Sequence, residues 1–173
     1  MTKILETERL ICRLMTWEDY NNHVLLDTSH EVRQFFPGGI LSAEQVKQKM
    51  TANLERVETW GFGDFIVTNK EGSFLGRAGF GVIENQEVEL GYKFLPNFWG
   101  KGYATEIAFS LKEWGIKNIS SVFLPKGRIL GFAHVDNIAS QKVLEKIGMI
   151  CFKLDQHYNM PFKFYELRLP QCL

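Results

Sequence analysis

The stretch ELGYKFLPNFWGKGYATEIAFSLKEWG, residues 89–115, constrains the fold of this chain more than any other segment. It opens as an apolar-polar strand and stops at Pro96, which has no amide to offer a sheet ladder. Gly100 and Gly102 then permit backbone torsions and close approaches that a Cβ would forbid. From Tyr103 onward Ala104, Ile107, Ala108 and Leu111 form one apolar stripe of a helix. The first amides of that helix lack partners and carry partial positive charge, so a glycine turn feeding them suits a phosphate or diphosphate, with Lys101 adding charge. Taken alone, a Gly-x-Gly is more often a plain turn linking strand to helix. Two familiar phosphate loops are excluded: Lys101 is followed by Gly102 rather than Ser or Thr, and Thr105 stands where a dinucleotide fingerprint needs a small third residue.

Around this unit the chain reads as strands and helices without repeats or linkers. ERLICRL alternates as a first strand. Thr16 with Asp19, and Ser42 with Gln45, are capping boxes opening two helices, the second ending near Trp60 and Gly61. DFIVTN, FLGRAGFGVI and EVELGYKFL follow as strands, with NKEG and ENQ as turns, so short that antiparallel neighbours are expected. RILGFAHV is a further strand, IASQKVLEKIG a helix stopped by Gly148, and ICFKLD with FKFYELRL a closing pair. The expected fold is α+β, one domain over residues 1–173, with helices on both faces of a mixed, mostly antiparallel, twisted sheet of about seven strands. The strand–helix–strand unit about residue 100 is its parallel part.

Composition excludes several function classes. The 20 Lys and Arg balance 20 Asp and Glu, which removes the electrostatic case for nucleic acid or an anionic membrane. The charged start MTKILETERL reads as neither signal peptide nor anchor, and no apolar stretch is long enough to span a bilayer. Cys12, Cys151 and Cys172 are odd in number and far apart, as suits reduced thiols in a cytoplasm. His23, His30, His134 and His157 share no metal-ligand spacing, so no metal is expected.

Taken together, ELGY, WGKGYATE, the later NIAS and EKIGM, the opening TERLICRL and the hairpin GDFIVTNKEGSFLGRAGF resemble the GNAT acyl-CoA N-acyltransferase superfamily. The likeness covers nearly the whole chain and is to the branch of the ribosomal-protein-alanine and related small-amine acetyltransferases. It implies a sheet splayed between the fourth and fifth strands and acetyl-CoA as cosubstrate. The diphosphate loop falls on Asn97, Gly100 and Gly102, with amides from Trp99 through Lys101, Tyr103, Ala104 and Thr105 meeting the phosphates. Asn97 departs from the usual Gln or Arg. Phe94 and Leu95 would pair with the pantetheine arm, and Asn137 would reach its amides. The residue-level alternative for Asn137 and Ser140 is a helix cap. Lys142 and Lys146 would lie by the adenosine phosphate, or simply be solvated charges.

For catalysis the resemblance assigns Glu89 as the base that frees the amine, against a plain cross-sheet charge, and the backbone amide near Leu95 as oxyanion donor. Where many members carry an acidic tyrosine this chain has Leu144. Ser140 is the substitute candidate, water the alternative. The expected function is acetyl transfer from acetyl-CoA to a primary amine, of a protein N-terminus or a small molecule, with an inactive acyl-CoA-binding sensor as the competing reading. A polyamine or antibiotic amine would call for carboxylates such as Glu31, Glu84 or Asp155 near the mouth. Trp17, Phe35, Phe36 and Trp60 would wall an acceptor pocket or pack the core, beside the loop FFPGGI. The chain is expected in the cytoplasm, as monomer or homodimer.

Overall fold

In the computed structural model, which describes residues 2–83, 87–157 and 159–169, eight strands form one sheet in the order β1-β2-β3-β4-β5-β6-β8-β7. They are β1 Lys3–Glu6, β2 Leu10–Arg13, β3 Asp64–Asn69, β4 Phe74–Val82, β5 Val88–Phe94, β6 Arg128–His134, β7 Ile150–His157 and β8 Met160–Arg168. All neighbours are antiparallel except β5 and β6. The strand beyond the expected seven is β1, a four-residue piece folded back on β2. It is too short and too exposed at its ends to show a period. The turn read at 84–86 and Cys172 lie outside the described residues.

Helices α1 Tyr20–Asp27, α2 His30–Arg33 and α3 Ala43–Trp60 cover the front of the sheet, and α4 Tyr103–Asn118 and α5 Ile138–Lys146 the back. Alternation along β3 sorts the two cores. Ile66 joins Met15, Leu41, Val46 and Met50 at the front, while Phe65 and Val67 join Leu111, Ile129 and Leu144 behind. The Ser42–Gln45 capping box forms as expected, and Gly61 closes α3 in the left-handed region at φ 77°. The Thr16–Asp19 box first opens a 3₁₀ turn, Trp17–Asp19, which then runs into α1. The short α2, capped by Ser29, carries too few residues for a periodic signal.

One break in the sheet positions the site. The parallel strands β5 and β6 match only at Glu89 and Leu130. Beyond that point they part, leaving a wedge bounded by the end of β5, the end of β6 and the start of α5.

Candidate active site

The wedge exposes one edge of β5. The Leu95 amide donates to the Leu75 carbonyl at 2.9 Å, continuing the β4–β5 ladder in which Gly76 faces Phe94. Peptide groups of an antiparallel strand alternate in direction, so those of Tyr92 and the amide of Phe94 face the wedge. The Phe94 carbonyl is taken by the Trp99 indole N–H at 2.7 Å. The expectation for Leu95 is therefore corrected: its amide is spent inside the sheet, and the free donor at this place is Phe94.

Next to that edge, Pro96–Phe98 form a 3₁₀ turn bearing the exposed Asn97, and Gly100 and Gly102 adopt φ of 71° and 81°. Both glycines are needed for their conformation rather than for room. Nothing lies within 4 Å of a Cβ built on Gly100, and only Arg9 Nη2, at 3.4 Å, near one on Gly102. Gly102 is the N-cap of α4 and its carbonyl accepts the Glu106 amide at 3.0 Å. The amides of Tyr103, Ala104 and Thr105 are thus left at the helix start without intrahelical acceptors. Exposed Lys101 hangs over Phe98, 5.7 Å from its ring centroid.

The turn is braced from the first hairpin. Arg9 donates to the Lys101 carbonyl at 3.0 Å and to Glu106 at 2.7 Å, and lies 4.6 Å from the Tyr103 ring centroid. Thr7 donates to the same Glu106 carboxylate at 2.5 Å. These bonds turn the one acidic side chain of the first helical turn away from the free amides. No local sequence signal pairs Arg9 with Glu106.

On the back face, Asn137 caps α5 by accepting the Ser140 amide at 3.1 Å, which is the capping reading of that residue. The Ser140 hydroxyl lies 2.9 Å from the Tyr92 hydroxyl, which also donates to the Ser140 carbonyl at 3.0 Å. The pair closes the wedge from behind. Burial raises the Tyr92 pKa beyond its ordinary range. Leu144 is buried and fills the space over Gly131, whose added Cβ would meet it at 2.9 Å. It packs core and does not reach the wedge.

Glu89 is on the front face, partly exposed, with its carboxylate in the space left by Gly81, where a Cβ would lie 2.7 Å from Oε1. Burial first, and the Asp64 charge second, push its pKa up to about 7 against the opposing pull of Arg56. A carboxylate so placed changes protonation near neutrality, as a general base should.

The acetyltransferase (GNAT) domain family matches residues 9–150. The chain belongs to this family. An uncharacterized Bacillus subtilis protein, YkkB, is 31% identical over 169 residues, 94% of each chain. A GNAT-family acetyltransferase from Bacillus anthracis shares the fold at TM-score 0.78 and 23% identity, covering 95% of this chain and 97% of its own. RimL, a ribosomal L7/L12 alpha-N-protein acetyltransferase solved with coenzyme A, matches at TM-score 0.79 and 16% identity, covering 96% and 98%.

Within this GNAT chain the front face carries a charge cluster that the sequence did not announce. Asp27 of α1 meets Lys93 at 2.5 Å, Arg77 at 3.4 Å and Arg33 at 3.8 Å, and Arg77 reaches on to Asp64 at 3.3 Å. Burial first, then Arg77, bring Lys93 down to about 7. Arg33 also holds the loop after α2, donating to the carbonyls of Gly39 at 2.6 Å and Pro37 at 3.0 Å, while Lys93 sits 4.2 Å from the Phe36 centroid. That loop, with His30, Ile40 and Met160, lines a cleft of about 220 Å³.

Of the expected aromatic wall, Phe36 reaches this cleft, and Phe35 stacks on His134 at 5.4 Å. Trp60 instead packs on Phe62 and Phe123, and Trp17 is exposed. Lys146 lies at the far end of α5, whose Ile147 carbonyl accepts Lys112, about 15 Å along α4 from Gly102 at 1.5 Å per residue. It is not brought to the glycine turn. Asp155 is paired with Lys153 on the outer strand. A larger groove, about 990 Å³ among Leu124, Lys126, Arg128 and Glu166, opens at the other end of β6. Among the described residues no group of three or more His, Cys, Asp or Glu could hold a metal, and no helix is long and apolar enough to cross a membrane.

Proposed function

We propose that this acetyltransferase moves an acetyl group from acetyl-CoA to a primary amine by direct attack on the thioester. One observation carries the reading: the open edge of β5 runs straight into a left-handed glycine turn and a bare helix N-terminus. An amide-bearing arm ending in a diphosphate fits that sequence of donors. When bound, acetyl-CoA supplies an acyl thioester.

The chain's own groups divide the remaining work between the two faces of the sheet. Tyr92 offers its peptide groups to the arm, and amides from Gly100 to Thr105 receive the phosphates, with Lys101 at their rim. The Trp99 amide, expected among them, is spent on the Pro96 carbonyl at 3.0 Å. At the front, Glu89 takes a proton from the incoming ammonium, leaving a neutral nitrogen to bond to the acyl carbon. The Phe94 amide donates to the carbonyl oxygen as charge builds there. At the back, as the carbon–sulfur bond breaks, the Ser140 hydroxyl turns its hydrogen from the Tyr92 oxygen toward the departing sulfur as a hydrogen bond. The proton that the nitrogen sheds on becoming an amide passes through water to the thiolate. Asn137 keeps Ser140 in register by capping α5, and its unused amide nitrogen is free for the arm. The acceptor amine enters by the cleft under the 35–40 loop.

Calorimetry with coenzyme A tests the reading. The wild-type chain binds it, and Gly102→Val weakens binding at least about tenfold, because a β-branched residue at positive φ strains the turn by about 1–2 kcal/mol and crowds the approach to the amides. The variant keeps its far-ultraviolet dichroism. Wild-type protein that takes up no coenzyme A would overturn the assignment.

A further inference from the structure

Strand β7 is the outer edge of the sheet, and every residue from Ile150 to Gln156 is exposed. Ile150 is 72% accessible, Phe152 42% and Leu154 67%. A long edge free of proline, with apolar side chains, is a template for another strand unless charges forbid it. The only charged residues along β7 are Lys153 and Asp155, which pair with each other on one face.

The direction of the free peptide groups follows from β8. The Val135 amide donates to the Pro161 carbonyl at 3.1 Å, so Pro161 looks toward β6. Phe162 and Phe164 then look toward β7, where they face Asp155 and Lys153. Leu154 and Gln156 are left with their peptide groups pointing out of the sheet, the Gln156 amide donating to the neighbouring Asp155 carboxylate at 2.8 Å.

We propose that β7 is a homodimer edge, on which two copies of this chain pair antiparallel about Leu154. With Leu154 opposite Leu154 of the second copy, the outward peptide groups meet in a hydrogen-bonded pair. Lys153 of each copy then falls opposite Asp155 of the other, twice over. Sliding either copy by two residues, the smallest step that keeps the hydrogen bonds, brings Lys153 against Lys153 or Asp155 against Asp155. Only the register about Leu154 joins opposite charges. An occupant of that charge order is the strand itself, which makes a second copy the fitting partner. A single strand-to-strand seam is at the small end of specific interfaces, so the dimer dissociates on dilution.

Sedimentation equilibrium over a concentration series reads the result. The wild-type chain is a monomer–dimer mixture. Lys153→Asp or Asp155→Lys alone weakens dimerisation by about tenfold to a hundredfold, since two attractive cross-strand pairs become repulsive. The double exchange, Lys153→Asp with Asp155→Lys, restores it. Leu154→Pro, which removes an outward amide and no bond to β8, gives monomers. Melting curves confirm that the exposed changes leave the fold intact. A wild-type chain that stays monomeric, as it would if an unlike partner covered the edge, overturns the proposal. So does a dimer indifferent to the single changes, or one that the double exchange fails to recover.

Discussion

Glu89→Gln lowers turnover by about 10²- to 10⁴-fold, the usual contribution of a general base. It also removes the rising limb of the pH–rate profile. In the wild-type chain Glu89 is pushed up to about 7, so below that pH it holds its own proton and cannot take one from an ammonium. Activity therefore climbs through neutrality. Glutamine keeps the shape that fits beside Gly81 and accepts no proton, leaving a flat profile in that range. The same shift has a stability signature of known sign. A carboxyl whose folded value lies above its ordinary 4.5 penalises the folded state progressively as pH rises from there to about 7. The variant should melt above wild type at alkaline pH and together with it in acid. A steep wild-type limb that survives in the variant would take Glu89 out of the mechanism.

The largest loss of stability is expected from Asp27→Asn. Its carboxylate, 1% exposed, faces Lys93, Arg77 and Arg33. Removing one partner from a buried ionic group leaves the others uncompensated and costs about 3–5 kcal/mol. Urea denaturation near neutral pH measures it. Burial opposes ionisation of Asp27, but Arg77 and Lys93 more than offset this and hold its pKa below the ordinary carboxylate value. Its contribution is thus complete above the unfolded value and lost as pH falls through the folded one, so the gap between variant and wild type closes in acid. A midpoint unchanged at neutral pH would mean that the three cations are satisfied without Asp27.

How much of this could be read beforehand depended on the range of the interaction. The glycines at 100 and 102, the start of α4, the Ser42–Gln45 box and the Asn137 cap are all decided within a few residues, and the sequence displays them. Odd and even positions of one strand face opposite ways, so Glu89 and Tyr92 part to the two faces, against Gly81 and Ser140. What was hidden is set by register and by distant partners. Whether the Leu95 or the Phe94 amide faces the wedge follows from the pairing with Leu75 and Gly76. The Asp27 cluster assembles α1, α2, β4 and β5, and no spacing rule connects them. The raised pKa of Glu89 comes first from burial and then from Asp64 on another strand, neither of which its neighbours in sequence reveal. The missing acid at Leu144 was visible as a letter, but its burial over Gly131 was not.

The link from Arg9 and Thr7 to Glu106 and Lys101 has a consequence for how the chain matures. Its opening hairpin clasps the glycine turn, so the cosubstrate proposed above would find its seat only where residues 7–9 have docked on the start of α4. Ligand capture would then report completed assembly, and a truncated or nascent polypeptide lacking that clasp would present the same glycines without the grip.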